Sequence, residues 1–209
     1  LTGTPGSIDR PAPRVGEHND EVLGALANQV SAAGAASRQP TGIRLAKGRP
    51  LDGVTVLEFA TVIAAPLGAS MLADLGASVT KVEPPKGDPF RRFGRPRNDM
   101  AAVFANSNRG KTSVVLDLKQ AAAQAALQDL IATADVLMHS MRPQKLAALG
   151  LAPEALRARH PRLVFANLLG FLPGPYQGRP AYDDVIQARA AAQAGADADG
   201  PCRDASGSC

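Results

Sequence analysis

The chain has 209 residues, enough for one ordinary domain and a tail, and its 45% apolar and 20% charged content excludes wholesale disorder. Aromatics supply only 4% and Trp is absent, so a core must be built mainly from Ala, Leu and Val. The net charge is a modest +4, yet residues 81–111 hold eight Lys/Arg against three acids, an excess that suits either phosphate groups on a ligand or a solvated loop. The uncharged stretch 59–73 carries Pro66 and is shorter than the roughly 20 residues a bilayer requires, so no membrane span is expected.

The chain opens on Leu1 rather than Met, without a basic start or apolar run, which points to a beginning inside a longer reading frame and gives no signal peptide. Pro/Gly-rich coil then leads to Glu17-His18-Asn19-Asp20, where Asn19 or Asp20 is expected to cap a short helix with Val22, Leu23 and Leu26 as its apolar stripe. Residues 31–49 have no period and read as a linker. From Pro50-Leu51-Asp52-Gly53 onward the pattern alternates. Strands are expected at 54–59, 78–82, 113–116, 135–138 and 162–168, with helices at 66–75, 119–134, 143–149 and 153–159. A polar, basic loop fills 86–98. Strands separated by helices predict an α/β fold with a mostly parallel sheet. After Gln187 the periodicity fades, and 190–209 reads as disordered or poorly packed.

Several motifs are weak. Gly110-Lys111-Thr112 looks like the end of a P-loop, but position 105 is Ala and a strand follows where a phosphate-binding helix must begin. No G-x-G-x-x-G follows the first strand. The turn there, Ala60-Thr61-Val62-Ile63-Ala64-Ala65-Pro66, has small residues that leave N–H groups free for an anionic or carbonyl ligand, or simply allow tight packing. His18, His139 and His160 are scattered. Cys202 and Cys209 form neither a zinc site nor a disulfide framework, so no metal and a reducing, cytoplasmic setting are expected. A basic nucleic-acid surface is not favoured, and neither nucleic acid nor membrane is an expected partner.

An ordered series of motifs is more specific. It comprises Leu51-Asp52-Gly53-Val54 through Glu58-Phe59, Ala65-Pro66, Leu72-Ala73-Asp74-Leu75-Gly76-Ala77 with Lys81-Val82-Glu83-Pro84, and Asn106-Ser107-Asn108-Arg109-Gly110-Lys111-Thr112. Ala134-Asp135-Val136-Leu137, Arg142-Pro143, Leu149-Gly150-Leu151 and Arg179-Pro180-Ala181-Tyr182-Asp183 follow in register. Together, over about 50–188, these resemble the class III CoA-transferases, a family that includes formyl-CoA transferase, carnitine CoA-transferase and α-methylacyl-CoA racemase. Residues 4–23 resemble the carboxyl-terminal tail of the same family. The expected organisation is therefore a tail of a preceding unit at 1–30, a linker at 31–49, a Rossmann-like CoA-binding part at 50–189 and a final tail at 190–209, as in a piece of a tandem fusion.

The resemblance implies a mechanism, a ligand and a site. An Asp attacks an acyl-CoA thioester, and the aspartyl-CoA thioester that follows is resolved by a second carboxylic acid. That Asp is expected near position 212, beyond the sequence, so no catalytic residue is assigned within it; Asp204 lacks the family context of a substitute. Racemase relatives exchange an α-proton instead, and Tyr182 in place of a His favours transfer. The implied ligand is coenzyme A as acyl-CoA, the second substrate is a carboxylic acid, and the full-length family forms interlocked homodimers. A CoA-binding remnant without catalysis is the further alternative. Val62 and Ala64 match the turn along CoA, and Ser140 and Met141 the pair near adenine. Asn108, Arg109, Lys111, Arg142 and Lys145 are candidates to face its phosphates, and Tyr182 completes the set. Ile63, Pro84 and Ala148 stand where formyl-CoA transferase has polar CoA contacts.

Overall fold

A computed structural model describes residues 4–32, 48–171 and 174–198. The chain divides into two compact units, Leu1–Leu168 and Leu169–Cys209. In the first unit, helix α1 (Asn19–Ala32) precedes β1 (Thr55–Phe59), α2 (Ala64–Asp74), β2 (Ser78–Glu83), a 3-10 turn (Pro89–Arg92), α3 (Ala102–Ser107) and β3 (Lys111–Val115). Then come α4 (Ala121–Thr133), β4 (Val136–His139), α5 (Pro143–Ala148), α6 (Pro153–Arg159) and β5 (Val164–Asn167). The expected α/β class holds: all five strands are parallel and lie in the order β3-β2-β1-β4-β5.

Successive side chains of a strand point to opposite faces, and the two faces here differ in chemistry. Leu57, Phe59, Val82, Val114 and Leu137 turn to one side, where they meet Leu127, Leu130 and Ile131 of α4, Leu146 of α5 and Leu156 of α6. Val56, Ala60, Val79 and Met138 turn to the other, against Ala65, Ala69 and Ala73 of α2. Alanines four apart let the α2 backbone lie close to the sheet. Gly76 ends that helix at φ 109°. Its N–H donates to the Ala73 carbonyl and that of Ala77 to the Leu72 carbonyl, a left-handed cap that suits glycine.

The structure departs from the sequence-based expectations at several points. The third strand begins at Lys111 rather than 113, and the helix after β1 begins at Ala64 rather than 66. The basic loop ends in α3, which its short length hides from periodicity. Asn19 and Asp20 lie inside the first turn of α1, where the His18 carbonyl accepts from Val22 N–H, so neither residue caps the helix from outside. Residues 4–30, expected as the tail of a preceding unit, are grouped with the sheet in the first unit. Of the expected linker, 33–47 lie outside the described residues. In the second unit α7 (Asp183–Ala198) runs on to 198, into the stretch that reads from sequence as disordered or poorly packed. Its run of Ala has high intrinsic helix propensity even where an apolar stripe is missing. The remainder, 199–209 with both Cys and Asp204, lies outside the described residues.

Candidate functional site

In an open parallel sheet, ligands bind beyond the carboxyl ends of the strands at the point where the strand order reverses. Here the chain runs outward from β1 through β2 to β3, then returns to place β4 on the other side of β1. The reversal therefore lies between the carboxyl ends of β1 and β4, at Phe59 and His139, which are in register. The two loops that leave these ends are 60–63 and 140–142. They are tied together: Thr61 N–H donates to Ser140 Oγ at 3.3 Å, and Ser140 N–H to the Phe59 carbonyl at 3.4 Å.

Two features mark the β1 loop. Val62 sits at φ 75°, a left-handed conformation that a β-branched residue adopts only under strain. The α2 helix begins at the next turn, and no side chain caps it. Its first N–H groups and the positive end of its dipole are thus left to whatever enters the crevice. Thr61, Ile63 and Ala64 are exposed and Val62 is half-buried. On the β4 side, Ser140, Met141 and Arg142 are half-buried and Lys145 is exposed. The side chains of Arg142 and Lys145 have no hydrogen bond or ion pair among the described residues. Six of the sequence-predicted positions, Val62, Ala64, Ser140, Met141, Arg142 and Lys145, thus lie on the loops and helix starts that flank one reversal point.

Four others are placed differently. Lys111 and Asn108 are fully buried under α2, so neither can face a phosphate in this conformation. Lys111 Nζ donates to Glu58 Oε2 (2.6 Å), to the Pro66 and Ser107 carbonyls (2.7 and 3.0 Å) and to Asn108 Oδ1 (3.0 Å). Arg109 is committed to Asp74 Oδ2 at 2.7 Å and to the Asn106 carbonyl. Tyr182 belongs to the second unit, where it is exposed just ahead of α7.

The buried ions form a network that sequence reading missed, although the register contains it. Glu58 pairs in the sheet with Lys81, which donates to Glu58 Oε1 at 2.9 Å and to the Ala60 carbonyl at 2.7 Å, with Asp88 Oδ2 at 3.1 Å. Glu83 accepts from Arg91 at both oxygens (2.5 and 2.8 Å) and from Ser113 Oγ. The Arg91 guanidinium lies 3.9 Å over the Phe104 ring. Burial pushes the Lys111 ammonium down to about 8, against the pull of Glu58. Lys81 is raised despite its burial, because Glu58 and Asp88 both hold it. Burial raises the Glu83 carboxyl, but its bonds to Arg91 and Ser113 outweigh this and hold it low. The charge excess of 81–111 is therefore largely structural: Lys81, Arg91, Arg109 and Lys111 are paired, which leaves Lys86, Arg92, Arg95 and Arg97 exposed. The same stretch carries a stacked pair, Phe90 and Phe93, with centroids 4.7 Å apart, an aromatic element that the sequence reading did not weigh.

His139 closes β4 in an apolar setting. Its ring packs 4.8 Å from that of Phe165, Nδ1 accepts from Met141 N–H at 3.1 Å, and Nε2 has no partner among the described residues. Burial pushes this imidazole down to about 4, so it is neutral near pH 7. Among the described residues no cluster of His, Cys, Asp and Glu is placed to hold a metal, and no helix is long and apolar enough to cross a membrane.

Comparison with known proteins fits this arrangement. The profile of CoA-transferase family III matches residues 51–207. The chain belongs to that family. A probable fatty acyl-CoA transferase of Mycobacterium tuberculosis is 42% identical over 148 residues, which cover 68% of this chain and 37% of the relative. A succinate–glutarate CoA-transferase of Agrobacterium fabrum is 41% identical, over 66% of this chain and 37% of its own length. A crystal structure of the M. tuberculosis protein superposes with a TM-score of 0.63 at 42% identity, covering 68% of this chain and 40% of that one. A CaiB/BaiF family protein from Brucella suis gives 0.64 at 38% identity, covering 68% and 39%. The chain thus spans little more than a third of the length of these relatives.

Proposed function

We propose that this stretch forms the CoA-binding half of a transferase that moves CoA between an acyl-CoA and a carboxylic acid through an aspartyl-CoA thioester. The observation that carries the reading is the β1–β4 reversal point. A strained turn at Val62 and an uncapped helix start meet there, in a chain of this family, with two unpaired cations on the opposite side. Of the expected contacts, Val62 and Ala64 would lie along the pantetheine and pyrophosphate, Ser140 and Met141 beside the adenine, and Arg142 and Lys145 toward the phosphates. Asn108 and Lys111 brace the start of α2, and Arg109 ties Asp74 at the other end of that helix, instead of touching ligand. Tyr182 favours transfer over the racemase-type proton exchange, and the attacking carboxylate belongs to the expected continuation near position 212. The chain's relatives act on succinate, glutarate and oxalate derivatives by name, so a small dicarboxylic acid is the acceptor class we favour.

Calorimetric titration of CoA into the protein tests the proposal. Saturable heat is expected at millimolar CoA or below, and Arg142→Ala with Lys145→Ala is expected to weaken it at least tenfold. An absence of heat at millimolar CoA would favour an inert remnant over either enzyme.

A further inference from the structure

Residues 4–32 lie ahead of the stretch that the family profile matches, which begins at 51, yet they are built into the first unit. Strand β3 is the free end of the sheet order. In a parallel strand alternate residues turn their N–H and C=O groups outward, and at this edge those residues include Ser113 and Val115. Such an edge is a ready template for pairing with another chain. The four outward groups of Ser113 and Val115 are bonded here by two adjacent residues. His18 N–H donates to the Ser113 carbonyl (3.1 Å) while His18 Nδ1 accepts from Ser113 N–H (3.2 Å). Asn19 Oδ1 accepts from Val115 N–H (2.8 Å) while Asn19 Nδ2 donates to the Val115 carbonyl (3.4 Å).

The same segment continues this pattern on both sides. The Arg10 carbonyl accepts from Gly110 N–H, and the Pro13 carbonyl accepts from Arg91 Nη1 at 2.8 Å. Gly16, at φ 64°, donates its N–H to Ser113 Oγ; a Cβ there would stand 3.2 Å from a Val115 methyl, so the close approach suits glycine. Helix α1 then buries Leu26 in the α4-side core, with Val22 and Leu23 packed beside it. It also walls a cavity of about 220 Å³ against Thr55, Leu57, Thr80 and Leu130.

We propose that residues 4–32 are a docking clasp: a discrete segment that stands in for a sixth strand at the β3 edge and binds its seat non-covalently, so that the seat accepts the same segment as a separate peptide. Side-chain and backbone groups of His18 and Asn19 give the register, and Leu26 anchors the helix. The Pro13 contact extends the clasp to Arg91 and through it to Glu83 at the carboxyl end of β2. The proposal does not depend on the CoA reading.

The test uses the whole chain with His18→Ala and Asn19→Ala, which weakens its own clasp, and a fluorescent synthetic peptide of residues 4–32. The natural peptide is expected to bind the variant chain saturably and at least tenfold more tightly than it binds the wild-type chain, whose seat is filled. A peptide carrying the same two substitutions is expected to bind at least tenfold more weakly. No saturable binding of the natural peptide to the variant overturns the proposal. If the double variant does not fold, amide hydrogen exchange on Asn19→Ala decides. The Val115 amide should exchange at least tenfold faster than in the wild type, while that of Val114, which faces β2, keeps its rate. Equal exchange at Val115 in the two proteins rejects the clasp.

Discussion

The two faces of the sheet solve the same packing problem with different chemistry. Toward α4, α5 and α6, branched apolar side chains fill the space and almost nothing polar is buried. Toward α2 and α3, alanines hold the helix close, and the rest of the volume is occupied by Glu58, Lys81, Lys111 and their partners, all at or near zero exposure. The first arrangement stabilises through area removed from water and is indifferent to direction. The second is directional: Lys111 bonds at once to β1, to the first turn of α2 and to the end of α3. Buried ion pairs are weak evidence of net stability, but they fix relative position when each charge is fully partnered. The face that fixes position is the one that carries the α2 start and the Val62 turn.

The largest effect should come from unbalancing the charged face. Glu58→Gln leaves two buried ammonium groups sharing what remains, and removal of one partner of a buried pair costs about 4 kcal/mol. On the apolar face Leu127→Ala, which opens a cavity beside α4, should cost about 3 kcal/mol. Urea denaturation measures both. The contrast sharpens if CoA affinity, measured on the folded fraction, falls for Glu58→Gln but not for Leu127→Ala. It breaks if the two variants lose stability and affinity in the same proportion.

A second effect depends on pH. The folded His139 imidazole lies near 4, below its ordinary value of 6.5, so between these limits the unfolded chain binds more protons than the folded one. The stability tied to neutral His139 is therefore complete above pH 6.5 and is lost as pH falls toward 4, by about 3 kcal/mol at the low end. His139→Phe keeps a ring against Phe165 and should remove most of that slope, as read from denaturation midpoints across the pH series. An unchanged slope would mean that carboxylates of the other face dominate acid unfolding.

The same contrast decides what was legible in the sequence. Leu127, Leu130 and Ile131 announce their helix by spacing, and the β-branched residues of β1, β2 and β3 announce those strands, so the α/β class and the alternation of its longer elements follow from pattern alone. The charged face has no such signature. Lys81 and Lys111 read as part of a basic stretch because the acid they share is distant in sequence: Glu58 precedes them by 23 and 53 residues and meets them only through strand register. Lys111, which the sequence offers as a phosphate-facing cation, is turned inward with Asn108 for that reason. The crevice positions at 62, 64 and 140–145 were reached by resemblance, and their grouping follows from strand order, which periodicity does not encode. Helix α3, of six residues, is too short to show a period, and α7 runs on Ala propensity without a stripe.

The smallest expected effect has the opposite sign. A valine held at φ 75° stores strain of roughly 1–3 kcal/mol, and glycine relieves it at an entropic cost of about 0.5–1 kcal/mol. Val62→Gly should therefore raise stability by about 1 kcal/mol, although it deletes two methyl groups. The same exchange at Val114, fully buried on the apolar face in β3, removes packed methyls from an unstrained strand and should lower stability by about 3 kcal/mol. Opposite signs for one substitution would show that the turn at the reversal point is shaped against local preference, as a ligand-facing turn can be. If Val62→Gly also destabilises, the methyls at 62 contribute more by packing than the backbone loses by strain, and the turn would then be ordinary core on the charged face.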